Sequence, residues 1–226
     1  MPESRKPFLD PVLLLREVRR ALLEDIGPGD LTTIRVVPHS LRGRGTLRAK
    51  ERLVLAGLPA ARIVFRLVDP RLRFVSLARE GAWLGKGDAV ARISGPARSI
   101  LTAERTALNF LQHLSGIATY TADCVARAGG RCAVRDTRKT TPGLRRLEKY
   151  AVRIGGGENH RTGLHDGILI KSNHWRVAGG VGAAVRAARR GSRRGRPLPV
   201  QVEVSTLPDL QEAIASGADA VLLDNL

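Results

Sequence analysis

A short apolar run, Ala133–Arg135, empties into "DTRKTTPG" (Asp136–Gly143), where Arg138 and Lys139 stand side by side. A second cationic knot, "ENHR" (Glu158–Arg161), follows, with His160 beside Arg161. Two unit charges about 4 Å apart repel by roughly 4 kcal/mol at an effective dielectric near 20, so a fold that gathers such groups has an anion to place among them. Downstream, each apolar run ends in a charged residue: Lys171, then Glu203, then Asp224. Arginine forks take planar carboxylates bidentately, and lysine supplies a point charge for phosphate. Two carboxylates on neighbouring strands suit a hydrated Mg²⁺ that bridges substrate phosphate oxygens. Together these residues ask for substrates rich in carboxylates and phosphates, with a divalent ion.

The elements that must position these groups alternate. After Gly130 the pattern reads strand, loop, helix, repeated: strands at Ala133–Arg135, Gly167–Ile170, Val200–Val204 and Ala220–Leu223, helices near Leu144–Arg153, Val181–Arg190 and Pro208–Ser216. That alternation implies parallel βαβ units. In "VQVEV" the valines fall on one face and Gln201 and Glu203 on the other, as in a barrel strand with a helical shell outside and a polar interior. Functional groups at the C-terminal ends of successive strands mark the catalytic face of such a barrel. Four strands cannot close one, so the sequence is expected to be a fragment, or to have its end supplied from elsewhere.

The preceding half reads differently. A helix over 12–24 carries Leu14, Leu15, Val18, Leu22 and Leu23 at helical spacing, and "EDIGPGDLTT" reads as a loop. Short β-rich runs from Thr46 to Ser94 flank a helix around Ala60–Leu67, an α+β module. "SGPA" then opens a long helix, capped by Ser94 or Ser99, with Leu101, Leu108, Leu111 and Leu114 on its buried face. "GGG" at Gly155–Gly157 lacks the spacing of a dinucleotide fingerprint and reads as a helix stop and a close approach of backbone to ligand.

Composition excludes several classes. The 226 residues are 43% hydrophobic and 26% charged, a globular balance. No apolar run approaches the roughly 20 residues of a membrane span, and "MPESRKPFLDP" lacks the apolar core of a secretory signal. Cys124 and Cys132 have neither metal-ligand spacing nor disulfide density, so a cytoplasmic protein is expected. The net charge of +17 is nearly all arginine, densest in "RRGSRRGR" (Arg189–Arg196). With 4% aromatic residues the stacking platforms for single-stranded nucleic acid are scarce. Carboxylates among the cations would also repel a phosphodiester backbone, so no nucleic-acid partner is expected.

Four stretches carry a resemblance: "EDIGPGDLTT", "ILTAERTALNFLQHLSGIAT", "DTRKTTPGLRRLEKYAVRIGGGENHRTGL" and "LIKSNH". In that order they resemble quinolinate phosphoribosyltransferase over essentially the whole chain. The resemblance implies an α/β fold: an N-terminal α/β sandwich domain with its long linking helix (1–112), then an incomplete parallel α/β barrel (113–226). It implies a homodimer that converts quinolinate and phosphoribosyl pyrophosphate, with Mg²⁺, into nicotinate mononucleotide, pyrophosphate and CO₂. Arg138, His160, Arg161 and Lys171 would surround the pyridine dicarboxylate, with Thr137 nearby and Arg105 of "ERTALN" joining from the partner subunit. Lys139, Glu203 and Asp224 would hold the phosphoribosyl pyrophosphate and its metal, with Lys139, Lys171, Glu203 and Asp224 as the catalytic set. Two departures stand out: Ser172 replaces the family's usual Asp in "KSNH", and the family continues past "LLDN" with further strands and a glycine-rich phosphate loop. The alternative is a paralogue of the same fold acting on another aromatic acid, as in the molybdate-transport-associated branch.

Overall fold

The computed structural model describes residues 9–191 and 198–226. Most of "RRGSRRGR" therefore lies outside the described residues, as do residues 1–8. The chain divides into two compact units, Met1–His160 and Arg161–Leu226.

The first unit opens with α1 (Pro11–Ile26), started by Asp10, whose carboxylate accepts the Val12 amide at 2.8 Å. Leu14, Val18 and Leu22 are buried, whereas Leu23 faces solvent. "EDIGPGDLTT" is not a plain loop. Asp30 accepts the Thr33 amide at 2.9 Å and so starts a short helix, α2 (Leu31–Val36). The other Asp30 oxygen accepts from Thr102 at 3.0 Å, and Asp25 accepts from Thr106 at 2.9 Å, which ties this segment to the long helix.

The α+β module follows as β1 (Arg42–Arg48), β2 (Leu53–Val54), α3 (Leu58–Val68), β3 (Arg73–Ser76), β4 (Trp83–Leu84) and β5 (Ala89–Pro96). β5 is the centre of an antiparallel sheet in the order β1-β5-β3, and β2 pairs with β4. β5 runs directly into α4 (Ala97–Ala128). Ser94 lies in the strand and Ser99 donates to Asp69 at 2.6 Å, so neither serine caps α4.

The buried face of α4 keeps Leu111 and Leu114 of the stripe read from the sequence but not Leu101. Ala103, Ala107, Phe110, Leu111, Leu114 and Ala118 are buried, while Leu101 is 47% exposed. Ala103, Ala107 and Ala118 share this face with Phe110, Leu111 and Leu114, and the chain before α3 packs directly on the latter three. A Cβ on Gly57, just before α3, would sit 3.2 Å from the Phe110 carbonyl. Ser115, buried there, accepts the Ala56 amide at 3.0 Å and donates to the Ala56 carbonyl at 3.1 Å, satisfying strand-edge groups that packing removes from water.

α5 (Arg145–Ile154) packs Leu147 and Ala151 onto this core, buries Tyr150 with its hydroxyl donating to Glu80, and stops at Gly155. The close approach made by "GGG" is to protein, not ligand. A Cβ on Gly155 would run into the Ala118 carbonyl, and one on Gly157 would meet Thr121 at 2.9 Å.

The second unit is a parallel sheet with helical crossovers: β6 (Ile168–Ile170), α6 (Ser172–Val177), α7 (Val181–Gly191), β7 (Val200–Val204), α8 (Leu207–Ala215) and β8 (Ala220–Leu223). Its strands lie in the sequential order β6-β7-β8, with Ile168 opposite Val200 and Gln201 opposite Ala220. Sequential order of parallel strands is what an arc of a barrel requires. The valine face of β7 is buried against Val181, Val185 and Ala213, as the alternation of "VQVEV" requires. The expected first strand, Ala133–Arg135, is reduced to one parallel bridge between Arg135 and Glu158. Its residues pair with "ENHR" within the first unit. Among the described residues no helix is long and apolar enough to cross a membrane.

Candidate active site

The cationic loop is built around a carboxylate. Asp136 Oδ1 accepts the His160 amide at 2.8 Å and the Lys149 ammonium, and Oδ2 accepts Asn159 Nδ2 at 2.6 Å. Lys149 also donates to the His160 carbonyl at 3.0 Å, and Asn159 to the Lys149 carbonyl at 2.9 Å. The Asp136 and Lys149 side chains are 7% and 5% exposed. The backbone joins in, with the Asp136 amide on the Glu158 carbonyl at 3.1 Å and the Glu158 amide on the Val134 carbonyl at 2.8 Å. "DTRK" and "ENHR", distant in sequence, are thereby neighbours.

Within that frame the predicted cations keep their charge available. Thr137 accepts the Lys139 amide at 3.0 Å and shapes the turn. Lys139 is exposed, and its side chain makes no hydrogen bond or ion pair among the described residues. Arg138 is half-buried, with its Nε enclosed and lacking a hydrogen-bond partner. An enclosed donor without an acceptor carries a desolvation cost that an anion would offset. The first turn of α5 fixes the loop's backbone: Arg145 reaches Thr140 at 2.9 Å and the Arg138 carbonyl at 3.4 Å, and Glu148 accepts the Thr141 amide at 3.2 Å. His113 of α4 lies 3.0 Å from Glu148, so it braces this loop.

Arg105 sits exposed on α4 and makes no hydrogen bond or ion pair among the described residues. One turn on, Leu108, Gln112, Gly116 and Tyr120 form a wall of a cleft of about 680 Å³ facing the β1–β2 connection. None of Thr137, Arg138, Lys139 or His160 lines that cleft.

The second unit holds the other half of the predicted set. Arg161 Nη1 donates to the Gly167 carbonyl at 3.1 Å. The turn between them is pinned by Asp166, which accepts the Thr162 and Gly163 amides at 2.7 and 3.0 Å. Burial pulls the Asp166 carboxyl upward, but those amide hydrogen bonds outweigh it and leave it below the usual carboxylate range. Lys171, at the end of β6, pairs with Glu203 of β7 at 3.3 Å. His174 Nδ1 accepts the Lys171 amide at 2.8 Å, which leaves its proton on Nε2 when neutral. Asp224, just past β8, is exposed, and its amide is held by the Val204 carbonyl at 2.9 Å. Glu203 and Asp224 thus stand at adjacent strand ends. Among the described residues no group of three or more His, Cys, Asp or Glu side chains could hold a metal.

Sequence reasoning missed Lys149, Asn159 and His174, the residues that hold the cation-bearing backbone. Their signal was faint: a lysine inside an apolar-faced helix and an amide beside a histidine.

Two family models cover this architecture, quinolinate phosphoribosyl transferase N-terminal domain over residues 30–115 and its C-terminal domain over residues 117–226. The chain belongs to the quinolinate phosphoribosyltransferase family. Family members from Synechocystis (47% identical, over 91% of this chain and 69% of the relative) and Mycobacterium leprae (44%, 92% and 74%) are similar along most of its length. The latter is a nicotinate-nucleotide pyrophosphorylase (carboxylating). The solved nicotinate-nucleotide pyrophosphorylase of Francisella tularensis superposes with a TM-score of 0.91 at 40% identity, over 96% of this chain and 76% of that one. Within the family frame, the two domains meet inside α4, while the compact units divide at His160–Arg161 because α5 packs on α4.

Proposed function

We propose that this chain transfers the phosphoribosyl group of phosphoribosyl pyrophosphate to quinolinate and releases CO₂, giving nicotinate mononucleotide and pyrophosphate for NAD synthesis. The observation that carries the reading is the enclosed, partnerless Nε of Arg138 in a loop whose one carboxylate, Asp136, is fully engaged. A planar diacid supplies what that donor lacks. Arg138, His160, Arg161, Lys171 and Arg105 are its proposed ligands, with Arg105 reaching the site of a second copy in a homodimer. An exposed cation on α4 that makes no ion pair among the described residues supports that assignment.

Lys139, Glu203 and Asp224 are assigned to the phosphoribosyl pyrophosphate and its metal, with Thr137 shaping the loop. Two carboxylates at adjacent strand ends fit Mg²⁺ carried in on pyrophosphate with its waters, not a resident ion with a full protein shell. Bound there, the ion would neutralise charge on the departing pyrophosphate. The protein's share of the reaction is placement and charge stabilisation, and no protein nucleophile is required. The pyridine nitrogen takes the ribose carbon as the bond to pyrophosphate breaks through an oxocarbenium-like state. The ring 2-carboxylate then leaves as CO₂, its bonding electrons drawn toward the positive nitrogen, and the ring carbon takes a proton. A cytoplasmic location is proposed with this activity. A paralogue acting on another aromatic acid is not favoured, since the named relatives are carboxylating pyrophosphorylases.

The test is release of labelled CO₂ from quinolinate labelled at the 2-carboxylate. Release that requires both phosphoribosyl pyrophosphate and Mg²⁺ is expected. Turnover of a pyridine monocarboxylate in preference to the diacid would overturn the reading.

A further inference from the structure

The chain contains the sequence Asp-x-Arg twice, and the two copies behave differently. At Asp69–Arg71 the side chains close on each other: Arg71 Nε donates to Asp69 Oδ1 at 3.0 Å and Nη2 to Oδ2 at 2.9 Å. That is the local pairing an arginine two residues after an aspartate can adopt. At Asp136–Arg138 the same spacing gives no pair. Both oxygens of Asp136 are taken by Lys149, Asn159 and the His160 amide, and Arg138 Nε is left enclosed without an acceptor.

The first copy is closed further by the Arg71 amide, which donates to Asp69 Oδ1 at 2.9 Å across Pro70. In the second, the carboxylate is met by a lysine thirteen residues away in sequence, on the buried face of α5. Burying an ammonium–carboxylate pair is seldom a gain in stability over apolar residues of equal volume. Here the pair has another consequence, because it uses up the one carboxylate that would neutralise Arg138.

We infer that Lys149 is a positioning residue that, with Asn159, occupies Asp136 and so keeps the Arg138 guanidinium open to an anionic ligand. The inference rests on the assignment of Arg138 to the pyridine dicarboxylate. Lys149 itself touches no substrate. Its ammonium also holds the His160 carbonyl, so the same group sets the spacing between the two cationic stretches.

The experiment compares the unaltered chain with Lys149→Met, Asn159→Ala and the double variant Asp136→Asn/Lys149→Met, using two readouts. The first is the Arg138 Nε–Hε resonance, assigned by its loss in Arg138→Lys and recorded without ligand. It should shift and gain exchange protection in Lys149→Met and Asn159→Ala as Arg138 closes on Asp136, and return toward its original position in the double variant. The second is the calorimetric affinity for pyridine-2,3-dicarboxylate. It should weaken about tenfold or more in Lys149→Met, the equivalent of one lost charge-assisted hydrogen bond, and recover in part in the double variant. A resonance that stays in place in Lys149→Met overturns the inference, whatever the chain binds. If Lys149→Met does not fold, Asn159→Ala and the double variant carry the same comparison. Failure of the unaltered chain to bind the diacid, with the resonance shifting as expected, would instead count against the proposed function.

Discussion

The Lys171 ammonium lies 3.3 Å from the Glu203 carboxylate, joining the ends of two neighbouring parallel strands. Lys171 is assigned to the diacid and Glu203 to phosphoribosyl pyrophosphate with its metal. In the ligand-free molecule each serves as the other's counter-ion, and the incoming diacid and metal would exchange that pair for two new ones. Lys171 is half exposed, so the exchange forfeits little, since pairs this wet contribute about 0–1 kcal/mol.

Glu203→Gln is accordingly expected to leave the fold intact, because β7 is held by Val200, Val202 and Val204 on its other face. The Mg²⁺ concentration for half-maximal rate should rise, as it should in Asp224→Asn. Initial rates across a magnesium titration check this. Equal loss at every magnesium concentration would remove both residues from metal handling.

Arg138→Ala is expected to weaken quinolinate binding by roughly 2–5 kcal/mol while changing phosphoribosyl pyrophosphate binding far less. Titration calorimetry with each ligand separately reads the difference. Equal losses would show that Arg138 does not face the diacid.

Arg105 is expected to act across a two-fold axis. Arg105→Ala and Lys171→Ala, each inactive alone, should complement when their subunits exchange, because one site of the mixed dimer carries both lesions and the other neither. Random pairing gives about a quarter of the unaltered activity. Mixed dimers, verified by mass, that recover nothing would place Arg105 outside its partner's site.

Two glycines of one region should respond oppositely to alanine. Gly155→Ala drives a methyl into the Ala118 carbonyl, a backbone group that cannot swing aside, and should cost about 2–4 kcal/mol. Gly116, on the exposed face of α4, has nothing within 4 Å of an added methyl, and Gly116→Ala should stabilise the isolated subunit by about 1 kcal/mol. Denaturant unfolding measures both.

Acid stability should depend on Asp69. The Arg71 guanidinium, with Ser99 and the Arg71 amide, holds this buried carboxyl well below the usual carboxylate range against the opposing pull of burial. A depressed folded-state value means that the contribution is present above the unfolded carboxyl's pKa and is lost as pH falls through the folded one. Asp69→Asn should therefore lower the melting temperature at neutral pH and leave the difference from the unaltered chain shrinking steadily toward pH 2. A difference that stays constant across that range would mean that the charge is not what stabilises.

The sequence by itself determined everything that depends on neighbours along the chain. The alternation in "VQVEV" dictated which face of β7 is buried, and the βα repeat after Gly167 dictated parallel strands in sequential order. The motifs from Asp136 to His174 named the family and the cations. Tertiary structure decided what depends on competition between distant groups. It made Ala133–Arg135 a single bridge to Glu158, because that backbone found its partner in "ENHR". It turned Ala103, Ala107, Phe110, Leu111 and Leu114 of α4 inward and left Leu101 in solvent, because the chain before α3 packs on that face. It also closed one Asp-x-Arg pair and left the other open. Asp69 and Asp136 share type and spacing to their arginines, but Asp136 is occupied by a lysine, an asparagine and a backbone amide brought in from elsewhere.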